Sequence, residues 1–201
     1  MGKVLDLLKE AVKLLEGNEQ EGKVQLSELK PGDVVKTSFG NLIVLEQVAN
    51  GTKVISKGFV KDAQKFDSNS PDINKAEIKE VLSGEVLEMY EKEFGAENII
   101  EETTELTTVD MQKDYGTYTG KVRLLTFNEA RCFNNIISKE EQNDWYWTMT
   151  PWSVPGRGWD RSLAVVSPSG DVYLDGCLSS FGVRPVCILK SNIFVSKGGN
   201  E

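Results

Sequence analysis

The last quarter of the chain, Asp144 to Leu189, most constrains what the sequence can fold into. Its closing run, Phe181-Gly182-Val183-Arg184-Pro185-Val186-Cys187-Ile188-Leu189, ends in a short apolar and partly β-branched stretch that follows a glycine and a proline. That pattern predicts a buried strand over Val186 to Leu189. Just upstream, all four tryptophans fall between Trp145 and Trp159, in a segment broken by Pro151, Pro155, Gly156 and Gly158. Rigid rings beside turn-forming residues suit a recognition loop, because they supply contact area at low entropic cost. The same rings could fill a small core.

Composition narrows the chemistry. The chain has no histidine, which removes the usual general base, the commonest metal ligand and any Ser-His-Asp or Cys-His arrangement. Cys132, Cys177 and Cys187 show no close CxxC spacing, so zinc is disfavoured and neither a metal nor another cofactor is expected. A net charge of −8 without clustered Lys and Arg argues against nucleic acid as a partner. Catalysis would need paired carboxylates in a cleft or an activated Cys or Lys, and Cys177, flanked by Gly176 and Leu178, is the thiol to test.

The opening stretch, Val4 to Glu16, places Leu5, Leu8, Val12 and Leu15 at helical spacing, widened by Leu7, Ala11 and Leu14. Its interspersed charges are unlike a signal peptide, and no apolar run is long enough to span a bilayer. The expectation is a protein made in the cytoplasm, with export by a route such as phage lysis left open. Residues 1–22 read as an amphipathic helix and linker that either oligomerises or folds back on its own domain. Residues 23–192 read as one domain and 193–201 as a polar tail.

Along that domain, Leu26 to Leu29 and Pro31-Gly32-Asp33 predict turns, and Val34 to Thr37, Leu42 to Val48 and Lys53 to Val60 predict strands. Asn50-Gly51 is a hairpin signal. Lys61 to Ser70 reads as a polar loop. A helical segment follows from about Ile73 to Phe94, interrupted at Ser83-Gly84 and capped by Gly95. Glu101 to Gly120 reads as a surface excursion with short strand pieces. Val122 to Leu125 predicts a strand, and Thr126-Phe127-Asn128-Glu129 is a capping box opening a second helix to about Ile137. Glu129 is thus a cap rather than a catalytic acid, and Cys132 is expected to pack. Trp145 and Trp147 should face the core from a strand, with Tyr146 on the other side. Pro168-Ser169-Gly170 is the turn of another hairpin. Arg184 calls for a buried partner such as Asp175 or backbone carbonyls. Glu140, Glu141, Asn143 and Asp144 lack a calcium-loop signature and read as a solvated turn. These elements predict an α+β domain with an antiparallel or mixed sheet and two interior helices, preceded by the N-terminal amphipathic helix.

Four motifs in order, Val122 to Ala130, Trp145 to Thr148, Ala164 to Asp171 and Gly182 to Val186, resemble a family of uncharacterised bacterial and phage domains. That family has a Trp-rich segment, a hairpin and a closing GVRP strand, and the likeness spans roughly Lys30 to Leu189. The family is in turn similar to the C-type-lectin-like fold, shared with formylglycine-generating enzymes and phage receptor-binding proteins. The resemblance therefore implies a C-type-lectin-like domain. Thr148-Met149-Thr150-Pro151 departs from the LRSP usual at this place, so an Arg is missing. The paired cysteines of the formylglycine-generating enzymes and the calcium motifs of lectins have no counterpart here.

Trp152, Arg157, Trp159, Asp160 and Arg161 form the candidate site. Exposed rings stack on sugars or anchor protein interfaces, and guanidinium groups add bidentate bonds. The leading expectation is a non-enzymatic recognition domain for a glycan or protein ligand, displayed as a homo-oligomer through Leu5, Leu8, Val12 and Leu15. A phage or prophage origin would make it a virion or host-surface adhesin. The alternatives are a structural assembly protein, in which the tryptophans are simply core, and a cryptic enzyme related to the formylglycine-generating group.

Overall fold

The computed structural model describes residues 22–139 and 142–199. The stripe Leu5, Leu8, Val12 and Leu15, and the acidic pair Glu140 and Glu141, lie outside the described residues.

Lys23–Gln25 forms β1, and the short turn Leu26–Glu28 buries Leu26. After the Pro31-Gly32 turn come β2 (Val34–Lys36), β3 (Leu42–Val48) and β4 (Gly51–Ser56). The hairpin joining the last two turns one residue earlier than the Asn50-Gly51 signal suggests. Val48 pairs with Gly51, so Ala49 and Asn50 make the loop. Glycine is needed at 51 for space, because a Cβ there would lie 2.4 Å from the Leu189 carbonyl oxygen. The fourth strand stops at Ser56, short of the expected Val60. The polar stretch after it is no loop. Lys61–Lys65 forms β5, a sheet edge whose polar residues meet solvent, which hides the apolar alternation of a strand.

The expected interrupted helix is present as α1 (Glu77–Val81) and α2 (Leu87–Phe94), joined through a wider turn at Leu82–Val86 in which Gly84 departs from helical geometry. Ile78, Leu82, Val86 and Tyr90 form its buried face, and Gly95 ends it at φ 84°. Next come β6 (Ile99–Ile100), the hairpin β7 (Glu102–Glu105) and β8 (Thr117–Gly120), and β9 (Val122–Arg123). The capping box forms in both directions: Thr126 Oγ1 accepts from the Glu129 amide, and the Glu129 carboxylate accepts from the Thr126 amide. It opens α3 (Phe127–Cys132), followed by α4 (Asn134–Ile137). Cys132 is exposed rather than packed. The last strands are β10 (Tyr146–Pro151), β11 (Ser162–Val166), β12 (Val172–Gly176), β13 (Ser180–Val183), β14 (Val186–Leu189) and β15 (Phe194–Lys197). The segment read as a polar tail thus supplies a strand, held between β1 and β2.

The described residues are mostly β, with few helices. One sheet runs β1-β15-β2-β3-β4-β14-β6, with β9 also on β14, and its pairs are antiparallel. A second runs β12-β11-β10-β13-β5, in which β10 and β13 are parallel. Strand period 2 divides the interior in two. Leu42, Val44, Val54, Trp147, Leu163, Val165, Cys187 and Leu189 join one cluster with Ile78, Leu82 and Tyr90. The alternate residues Ile43, Leu45, Ile55, Tyr146, Val166 and Val186 join another with Ala130 and Ile137. Strands buried on both faces must be apolar nearly throughout, which is why Leu42 to Leu45 and Val186 to Leu189 are continuous apolar runs. Tyr146 does face away from Trp147, as its position predicts, but into this second core rather than solvent.

The step from β13 to β14 carries the chain from one sheet to the other. Arg184 sits at that step, fully buried. Its Nε donates to the Ser56 carbonyl at 2.8 Å, Nη1 donates to the Tyr146 hydroxyl at 3.2 Å, and the guanidinium lies 5.2 Å from the centre of the Tyr146 ring. The backbone carbonyl is one of the two kinds of partner the sequence called for, and the other, the Asp175 carboxylate, is engaged elsewhere. That carboxylate instead accepts from Gly176 N and Ser179 Oγ.

Candidate functional site

The second sheet loses its regular register where β10 approaches the tryptophan loop. Trp147 pairs with Val165, but Pro151 pairs with Leu163, so the Thr148 to Thr150 stretch bulges. Hydroxyls satisfy the irregular backbone. Thr148 Oγ1 donates to the Ala164 carbonyl and accepts from the Thr150 amide, and Thr150 Oγ1 accepts from the Phe127 amide. The threonines of Thr148-Met149-Thr150-Pro151 thus serve the bulge and the first amide of the helix that begins at Phe127.

The loop is then closed at its base, where Trp152 N donates to the Ser162 carbonyl at 2.7 Å and Ser162 N donates to the Trp159 carbonyl at 3.0 Å. Its tip is the turn Val154-Pro155-Gly156-Arg157, joined by Arg157 N to the Val154 carbonyl at 3.2 Å. Gly156 at φ 87° follows a proline, as a type II turn requires. Gly158 and Trp159 are also left-handed, at φ 80° and 58°. Tryptophan is rare in that region, since a bulky side chain there is strained. Trp159 is 64% exposed.

A second loop, between β7 and β8, packs against the first. Its Asp110 carboxylate accepts from Ser153 Oγ at 2.8 Å and pairs with Arg157 Nε at 3.3 Å, while Thr108 Oγ1 donates to its other oxygen at 2.6 Å. The Thr108 bond does most to hold the Asp110 carboxyl below its ordinary range; desolvation opposes it, and the Ser153 hydrogen bond and the Arg157 charge add to it. Tyr115 donates to the Ser153 carbonyl at 3.2 Å. Burial, then the charges of Asp72 and Asp160, push its phenol up to about 12. Met111, next to Asp110, is likewise left-handed at φ 69° and is 73% exposed. The two exposed side chains with left-handed backbones thus sit on two loops tied together through Asp110 and Ser153.

Of the five residues predicted from sequence, Arg157, Trp159, Asp160 and Arg161 are exposed and Trp152 is half-buried. Arg157 takes its carboxylate partner from outside the segment, in Asp110. Trp147 is fully buried with its indole N–H on the Gln64 carbonyl, and Trp145 packs edge-on against Tyr173, so both belong to the scaffold. Asp110, Met111 and Tyr115 were missed by sequence reasoning. The only signal they offered was a Thr-rich, acidic stretch with a Gly. Cys177 does not fit an activated nucleophile: it is 1% exposed, and burial, then the Asp67 charge, raises its thiol above the ordinary range.

Among the described residues, no group of three or more His, Cys, Asp and Glu side chains is placed to hold a metal ion, and no helix is long and apolar enough to cross a membrane. Comparisons of the chain with protein-family models, with curated proteins and with solved structures find no match.

Proposed function

We propose that this chain is a non-enzymatic recognition domain that holds a glycan or protein ligand against the paired loops carrying Trp159 and Met111. One observation carries the reading: a tryptophan held in strained left-handed backbone and 64% exposed. Strain and apolar exposure both cost stability, and a fold retains them where the side chain serves a partner. Arg157 and Arg161, two residues before and after Trp159 and both exposed, add cationic donors of the kind enriched at binding surfaces. The structural-assembly alternative needs Trp152 and Trp159 as core, and the exposure of Trp159 takes that support away.

The finer reading of the fold as C-type-lectin-like is part of the same proposal. It rests on the order of motifs, in which the capped helix, the tryptophan strand, the Pro168-Ser169-Gly170 hairpin and the closing strand follow one another. Display on an oligomer through Leu5, Leu8, Val12 and Leu15 would multiply weak single contacts.

The test compares wild type with Trp159→Gly on a printed array of glycans and against a displayed library of random peptides. Glycine relieves the backbone strain and removes only the ring. Binders found with wild type and lost with Trp159→Gly support the proposal. Binders retained in full by Trp159→Gly, or no binder of either class, would sink it.

A further inference from the structure

We infer that a second subsite, a cleft between the 104–111 segment and helix α3, takes one neutral sugar unit of a ligand whose next part lies on Trp159. The inference rests on the recognition reading above and assigns it a ligand class. The cleft has a volume of about 280 Å³, at the lower edge of small-molecule sites, which run from about 300 Å³ upward. Met111 lines it and so joins cleft to loop surface. The neighbouring backbone fixes that junction: Val109 N donates to the Pro151 carbonyl at 3.1 Å, and Asp110 holds Ser153 and Arg157.

The chemistry of the lining selects the ligand. Asn128 and Arg131 are three residues apart on α3 and therefore share a face, both exposed at the cleft. Between them Glu129 turns inward to its ion pairs. Asn128 supplies both a donor and an acceptor, and Arg131 supplies a fork of donors, a set suited to vicinal hydroxyls. The Arg131 guanidinium lies 5.3 Å from the centre of the Phe127 ring, which steadies it.

On the opposite wall stands Thr104, half-buried, whose Oγ1 is shut from solvent and has no hydrogen-bond partner among the described residues, so a turn about the Cα–Cβ bond would bring it to a ligand. A buried hydroxyl of this kind is costly unless something bonds it, and a ligand hydroxyl can act as either donor or acceptor towards it. By contrast, Thr108, Thr126 and Thr150 spend their hydroxyls on the protein.

The charge of the lining suits a neutral ligand. It carries one anion, Glu105, and one cation, Arg131, so it offers no excess positive charge to an acidic sugar, and the whole chain carries −8. The lining side chains offer hydroxyl, carboxamide, guanidinium and a ring, the set that favours a sugar; β7, which supplies Thr104 and Glu105, is an edge of a two-stranded sheet, so a peptide is the competing occupant that the library tests.

The experiment measures wild type, Thr104→Val, Asn128→Ala and Trp159→Gly on one array of neutral and acidic glycans and on the random-peptide library, with near-UV circular dichroism to verify folding. Neutral glycans should be retained in preference to acidic ones. Asn128→Ala and Thr104→Val should each weaken that binding about five- to tenfold, the worth of one hydrogen bond. Thr104→Val should do so with no loss of thermal stability, because it removes an unpartnered hydroxyl and keeps the shape. Neutral-glycan binding lost with Trp159→Gly but untouched by Asn128→Ala and Thr104→Val overturns the subsite and leaves the recognition reading standing. So does binding to peptides alone. Binding to neither class overturns both.

Discussion

Arg123 and Glu129 meet in a two-pronged ion pair, Nη1 to Oε2 and Nη2 to Oε1, each 2.7 Å long. Arg123 is 2% exposed. Its Nη2 also meets Glu102 at 2.7 Å, and Glu129 takes a further bond of 2.9 Å from Lys53 Nζ. The carboxylate that caps α3 thus ties that helix to β9 and β4, one step behind the Asn128 and Arg131 face.

Glu129→Ala leaves a buried guanidinium short of its main counter-charge and a helix without half its cap. Breaking a buried pair costs about 3–5 kcal/mol, and the retained Glu102 contact places this case at the low end. Thermal denaturation should show a midpoint lowered by roughly 6–12 °C, at about 2–4 °C per kcal/mol for a domain of this size. A shift under 2 °C would mean that the pair contributes little.

Acid should find the same joint. Burial pushes the Glu129 carboxyl up, but the Arg123 hydrogen bonds and charge, then Lys53, outweigh it and bring the group down to about 2. A carboxyl whose folded pKa is depressed gives stability that is fully present above its unfolded value of about 4.3 and is lost as pH falls towards 2. The contribution is on the order of 3 kcal/mol. Asp33 and Asp67 act in the same direction: burial opposes, and backbone amide bonds hold both carboxyls low. Urea unfolding at pH 6, 4 and 3 should show stability dropping across the last two points, and Glu129→Ala should flatten that drop. Equal slopes in the two proteins would refute the assignment.

Trp159→Gly should raise stability by about 1 kcal/mol, the usual cost of holding an L-residue left-handed, offset in part by the freer unfolded chain. Urea denaturation reads this directly. A protein destabilised by the change would show that the ring packs on its own surface instead of serving a partner.

The three thiols should separate by accessibility. Cys132 is exposed while Cys177 and Cys187 are buried, and burial drives the Cys187 thiol far above its ordinary range. Titration with a thiol reagent at pH 8 should therefore find one group in the native protein and three in denaturant. Rapid native labelling of Cys177 would reopen a reactive role for it.

Sequence and fold agree where local chemistry decides the structure. The capping box at Thr126, the Gly95 helix end, the Ser83-Gly84 interruption and the Pro168-Ser169-Gly170 hairpin were all legible, because each is settled within a few residues. The strands Lys61–Lys65 and Phe194–Lys197 were not. Lys61–Lys65 is polar apart from Ala63, as a loop would be, and in Phe194–Lys197 the β-formers Phe194 and Val195 are too short a run among polar neighbours to mark a strand; distant partners make strands of both. The site follows the same division. Proline and glycine punctuation exposed the loop around Trp159, but its anchor at Asp110 depends on packing between segments far apart in sequence. Cys132 was misread because its helix is short and turns that residue outward.

The division of the interior by strand period 2 has a consequence for how this protein can vary. In β3, β10, β11 and β14, adjacent residues belong to different cores. One inserted or deleted residue would send every following side chain into the wrong one. These strands therefore have a fixed length, and so does the Arg184 step that threads the chain between the sheets. Changes in length can enter where no such alternation is at stake, as in the 106–116 and 152–161 loops. Those loops also carry the exposed Met111 and Trp159, so under the proposed function the segments with most freedom to diversify are those that would meet the ligand, above a frame that stays as it is.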